Sequence, residues 1–234
     1  MRTRQWVELT LLQFVVSIYA NTEKTIFVAP KGNTIPNVHP GLDDLCIDSL
    51  SSDNSVLRTQ LSVAFPNKTS PKGLQSWYLL DQLNAGQRYE VRVCWAATQP
   101  TEFWLDTFTL TQVFETPELI SGLAEYSENQ PQSVCQKRAS IDPSEPSTKP
   151  SILFLRIHSA ADFFTTNKTL MSQPPLVDVD ITLDPFILNV LPKSLLPTAA
   201  YITPIAVGAW LLSGMVWKWL SIIGQGEDGK AHGD

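Results

Sequence analysis

Hydrophobic and polar positions along the chain fall into two patterns, short alternations and one long unbroken run. An alternation of period two puts successive side chains on opposite faces of a strand. Leu61, Val63 and Phe65 alternate with Gln60, Ser62 and Ala64 within Leu57–Phe65. Tyr89, Val91, Val93 and Trp95 alternate with Glu90, Arg92 and Cys94, which predicts a strand with the latter three facing outward. Val177, Val179, Ile181 and Leu183 alternate with Asp178, Asp180 and Thr182 in the same way. Thr25–Ala29, Trp77–Leu80, Phe103–Leu110 and Ile152–Ile157 are further strand candidates, and Leu42–Asp48 reads as a strand or as a turn around Cys46. At Pro117–Glu128 the period lengthens to that of a helix, with Leu119, Ile120, Leu123 and Tyr126 on one side. Thr116 supplies an N-cap there and Pro117 the first helical position. Asn129–Pro150, rich in Ser, Pro, Gln and charge, predicts a mobile loop.

The unbroken run is Ala199–Trp217, which carries no charge and continues past Lys218 to Ile223. Its uncharged part alone reaches about 28 Å as a helix, close to the roughly 30 Å hydrocarbon core of a bilayer. Tyr201, Trp217 and Trp219 stand near its ends, where amphipathic rings favour the interface. A transmembrane helix is therefore expected over 198–223, followed by a polar cytosolic tail at 224–234 rather than a GPI-attachment signal. Residues 1–20 read as a secretory signal, with Arg2 and Arg4 before an apolar Leu9–Ile18 and a small Ala20. An uncleaved signal anchor is the alternative. Either way residues 21–196 are expected in the ER lumen, as a single-pass type I protein.

Composition narrows the fold. Charged residues make up 17% and prolines number 17, which favours strands and loops over long helices. The expected lumenal part, about 175 residues, suffices for one core. A net charge of −6 gives no electrostatic reason to expect a nucleic acid partner. Asn67-Lys-Thr69 and Asn167-Lys-Thr169 are N-glycosylation acceptors. Cys46, Cys94 and Cys135 allow one disulfide in an oxidising lumen, with three pairings open. Leu83-Asn-Ala-Gly-Gln-Arg-Tyr89, followed by Val91 and Val93, resembles the E–F corner of fibronectin type III domains, where a tyrosine locks the crossing between two sheets. The expected fold is mainly β: one lumenal sandwich of fibronectin III or immunoglobulin-like kind with one short helix, plus the C-terminal transmembrane helix.

Candidate chemistry is sparse. His39, His158 and His232 share no metal-ligand spacing, and the chain carries no phosphate-binding glycine loop or nucleophile elbow. Asp178-Val-Asp180 is the one possible metal pair, although alternate positions of a half-buried strand are ordinarily polar. No cofactor is expected. In the apolar run, Gly208, Ala209 and Ser213 form a small-residue face that would let another helix approach.

Four features together resemble the fungal GPI-mannosyltransferase II co-activator family. They are the signal, Tyr89-Glu-Val-Arg-Val-Cys-Trp-Ala96 after a Trp-Tyr-Leu-Leu strand, the helix start Phe114-Glu-Thr-Pro-Glu-Leu-Ile120, and the single C-terminal span. The resemblance implies a non-catalytic ER subunit that partners the multi-pass enzyme adding the second mannose to the GPI precursor. It carries over no catalytic residues. The rival readings are a cell-surface adhesion module and a glycosyltransferase using Asp178 and Asp180, the latter disfavoured by the lack of a nucleotide-binding α/β pattern.

Overall fold

The computed structural model describes residues 21–31, 45–131 and 151–227, the last four of these by backbone alone. The expected signal at 1–20, most of the expected loop at 129–150, His39, Cys135, His232 and the end of the expected tail lie outside them.

The strands are β1 (Thr22–Val28), β2 (Ser49–Leu50), β3 (Val56–Leu61), β4 (Leu74–Leu83), β5 (Arg88–Trp95), β6 (Thr101–Thr109), β7 (Ser151–Ala161), β8 (Val177–Ile187) and β9 (Leu191–Pro192). The helices are α1 (Leu110–Glu115), α2 (Pro117–Glu128), α3 (Lys168–Ser172) and α4 (Leu196–Glu227). One sheet runs β1-β5-β8-β3, with β9 paired to β8, and the other runs β2-β4-β7-β6. The protein is thus mainly β, and the fold class expected from the alternations holds.

A single apolar core lies between the sheets. Tyr89, Val91, Val93, Val177, Val179, Ile181 and Leu183 enter it from the first sheet, and Tyr78, Leu80, Leu153, Leu155 and Ile157 from the second. The inward residues of β5 and β8 are those that the alternation selects. At the crossing from β4 to β5 the backbone turns at Asn84–Gln87, where the Gln87 N–H donates to the Asn84 carbonyl at 3.1 Å, as in a tight turn. Gly86 sits at φ +78°, the left-handed position such a turn requires. The Asn84 N–H donates to the Tyr89 hydroxyl at 3.0 Å, and that hydroxyl donates to Gln87 Oε1 at 3.1 Å. Tyr89 therefore ties the corner from inside the core, as the fibronectin-like pattern implies.

The second sheet is covered on its outer side as well. Trp77, Leu79 and Phe154 point away from the first core and pack with Val113, Leu119 and Leu123 of α1 and α2 and with Ile47. This second cluster explains the run Trp77–Leu80, in which no residue exceeds 1% exposure. It also buries Trp77, which is 0% exposed although it points away from the first core. Leu110–Glu115 is a helix that the strand pattern ran into. Its cap is a capping box in which the Thr109 hydroxyl and the Gln112 side chain serve each other's backbone. Thr116 stands at the N-cap of α2 as expected, but its side chain makes no capping bond.

The outward face of β5 departs from the simple alternation. Glu90 is buried at 4% exposure, covered by Lys24, whose Nζ lies 3.2 Å from Glu90 Oε2, and flanked by Arg92 at 3.6 Å. Alternation assigns a face and not its accessibility, and here β1 screens the edge of that face.

Candidate functional site at the junction of domain and helix

The register of the strands gives the domain two distinct ends. Leu61 pairs with Val177 and Leu74 with Ser159, so the loops 62–73 and 162–176 emerge together at one end. Tyr89 pairs with Pro185, which places the Asn84–Gln87 corner and the end of β8 at the other. The eleven residues of β8 separate these ends by about 33 Å. Asn67 and Asn167 are both exposed and both lie in the loops of the first end. Asn67 Oδ1 accepts from the Thr69 N–H and hydroxyl, and Asn167 Oδ1 accepts from the Thr169 N–H, so each acceptor asparagine is held in a local turn with its own threonine.

At the second end β8 turns back into β9, with Phe186 paired to Pro192 and Ile187 to Leu191. Continued for two residues, that register brings Ser194 opposite Asp184. The Ser194 N–H lies 3.2 Å from both carboxylate oxygens of Asp184, which is only 6% exposed. A 3-10 turn at Lys193–Leu195 leads directly into α4. A buried carboxylate thus holds one free N–H, that of Ser194, at the start of the helical segment, where the helix dipole favours negative charge.

α4 has 32 residues and spans about 48 Å. The stretch Lys193–Ile223 is long and apolar enough to cross a membrane, and none of it is buried against the domain. Trp210 and Trp217 are 75% and 73% exposed. An apolar surface of this extent needs a covering of lipid or protein. Pro204 lies within the helix and removes one backbone donor, that to the Ala200 carbonyl, and the neighbouring Thr203 hydroxyl donates to the Ala199 carbonyl at 2.7 Å. Gly208 and Gly214 have open space around them, and Ala209 and Ser213, four residues apart, share a face of the helix.

A polar groove of about 680 Å³ lies between α2 and the strand ends of the glycosylation-acceptor end. Gln60, Gln75, Tyr126 and His158 line it with amide, phenol and imidazole groups. Tyr126 shares hydrogen bonds with Tyr78 and Ser76, and burial pushes both phenols above their ordinary range. Burial, aided by the Arg156 and Lys72 cations, lowers the His158 pKa. Asp178 and Asp180 are not in it. Asp180 is paired with Arg58 at 2.7 Å, which lowers its pKa by hydrogen bonding, and Asp178 accepts from Gln60 Nε2 at 2.8 Å. Their oxygens are engaged by neighbouring strand residues. Among the described residues no group of three or more His, Cys, Asp or Glu side chains is placed to hold a metal ion.

Cys46 is disulfide-bonded, whereas Cys94 carries a free thiol that accepts from the Thr22 hydroxyl at 3.6 Å.

The family of GPI-mannosyltransferase II co-activators matches residues 11–127, half of the chain. The chain belongs to that family. The match takes in β1 through α2, and so the corner at Tyr89 and the helical cover of the second sheet, and it stops before β8 and α4. A GPI mannosyltransferase 2 subunit of Schizosaccharomyces pombe is 33% identical over 62 residues, which is 26% of this chain and 35% of that relative. The chain thus aligns with about a third of the relative's length. No solved structure matches. The features that sequence reasoning missed are the burial of Glu90, Asp184 and the β8–β9 turn. Asp184 follows directly on the alternation that ends at Leu183, and its partner at Ser194 is what distinguishes it.

Proposed function

We propose that this chain is a non-catalytic accessory subunit of the ER GPI-mannosyltransferase that adds the second mannose to the GPI precursor. The family match carries this reading. In it α4 crosses the ER membrane once, the sandwich stands in the lumen, and Asn67 and Asn167 carry glycans at the end away from the bilayer. The partner is a multi-pass mannosyltransferase, and the face bearing Gly208, Ala209 and Ser213 packs against one of its helices. Support for a direct role of α4 comes from its full exposure and its firm mounting through Asp184.

The test is purification of the tagged full chain in mild detergent with identification of what accompanies it, combined with analysis of GPI precursors after depletion of the chain. The reading expects a multi-pass mannosyltransferase in the eluate and precursors stalled with one mannose. Fully mannosylated precursors after depletion would remove the assignment to this step.

A further inference from the structure

The β8–β9 turn combines an unfavourable backbone with unusual exposure. Leu188 and Asn189 have φ of +52° and +58°, and the Val190 N–H donates to the Ile187 carbonyl at 3.1 Å. Two successive residues at positive φ inside an i→i+3 bonded turn are normally Asn, Asp or Gly. A leucine resists that conformation, because its Cβ crowds the following carbonyl. Here it is nonetheless held there, 90% exposed, with Val190 77% exposed beside it.

The mount is firm. Asn189 Nδ2 donates to the Gly86 carbonyl at 3.1 Å, and the Arg88 N–H donates to Asn189 Oδ1 at 2.8 Å, so the tip is bolted to the corner that Tyr89 locks. Strained residues persist only where the surroundings over-determine them, and they collect at functional positions. Asn189 supplies that constraint, and what it presents is an apolar pair.

From these observations we infer that Leu188 and Val190 are a second membrane contact, seated in the phospholipid interface next to the start of α4 and fixing the tilt of the domain on the bilayer. The tip lies four strand residues from Asp184 and thus about 13 Å from the Ser194 mount. The apolar stretch Lys193–Ile223 is about 46 Å long as a helix, some 16 Å more than the hydrocarbon core. The 3-10 turn and the first turn of α4, with Leu195 and Leu196, therefore lie in the interfacial layer, and the tip is within reach of the same layer. Cations stand where lipid phosphates would be. Lys193 is exposed at the head of α4, and exposed Arg88 keeps its guanidinium 5.8 Å from the Phe186 ring. The acceptor asparagines occupy the opposite end. This contact is independent of which enzyme accompanies the chain.

The test uses the full chain with Cys94→Ser and Val190→Cys, labelled at position 190 with an environment-sensitive fluorophore and reconstituted into phosphatidylcholine vesicles. The same label at Lys72→Cys reports on the opposite end. The expected result is blue-shifted emission at position 190, quenched by spin-labelled lipid, with neither effect at position 72. Adding Leu188→Asn, which suits the left-handed turn, should cut the quenching severalfold while leaving the thermal midpoint unchanged or higher. Solvent-like emission at 190, equal quenching at both ends, or quenching indifferent to Leu188→Asn would overturn the inference. So would shielding at 190 that no lipid quencher reaches, since a protein surface would then be the occupant.

Discussion

The carboxylate of Asp184 faces the backbone N–H of Ser194, at 3.2 Å from each of its oxygens, across the short hairpin that leads into α4. One side chain of the sheet therefore sets where the helix begins. Asp184→Ala leaves the Ser194 N–H without its charged acceptor, and hydrogen bonds to charged groups contribute about 1.5–3 kcal/mol. The variant is expected to lose stability of that order in denaturant titration of the detergent-solubilised chain. Asp184→Asn, which keeps one acceptor oxygen, should lose less.

Tyr89→Phe removes the hydroxyl that accepts from the Asn84 N–H and donates to Gln87, while keeping the ring stacked on Phe27. The expected cost is about 1–2 kcal/mol, seen as a lower unfolding midpoint. An unchanged midpoint would mean that water replaces the phenol at the corner.

The thiols should differ in chemistry. Peptide mapping without reduction is expected to recover Cys46 in a disulfide and Cys94 alkylated, and Cys94→Ser should be close to neutral. Cys46→Ser should lower stability by about 2–5 kcal/mol, the usual cost of losing a native disulfide. Recovery of Cys94 in the bridge would contradict the structure.

His158 titrates below its ordinary 6.5, because burial and the charges of Arg156 and Lys72 disfavour the imidazolium, while Asp106 acts weakly in its favour. The folded state consequently binds fewer protons than the unfolded chain in the range just below 6.5. Its contribution is complete above that pH and is lost as the pH falls through it. Unfolding midpoints measured from about pH 7 down to about pH 5 should drop more steeply for the native chain than for His158→Gln.

Asp178→Asn with Asp180→Asn should leave GPI-precursor mannosylation intact in cells that accumulate the protein normally. Both side chains are engaged with Gln60 and Arg58 on an exposed strand face, where an ion pair adds little. Loss of mannosylation at normal protein levels would restore a catalytic role for the pair.

The core strands and the long apolar helix were legible in the chain because they rest on local properties. Period two selects Val91, Val93, Val177, Val179, Ile181 and Leu183, and all six are buried. The length of an uncharged run decides whether a helix can cross a bilayer, and the Leu83–Tyr89 spacing decides whether a tyrosine reaches back to its own corner. Contacts between distant segments were not legible. Burial of Glu90 depends on Lys24, 66 residues away, and that of Trp77 depends on two helices beyond β6. Asp184 could not be told from Asp178 until the chain had turned back to Ser194, and the left-handed Leu188 depends on the grip of Asn189 on Gly86 and Arg88. The sequence by itself determined which faces are apolar and how long the apolar helix is, since these follow from residue order alone. Only the tertiary structure decided which polar groups are enclosed and how that helix is fixed to the domain, because both require partners brought together by the fold.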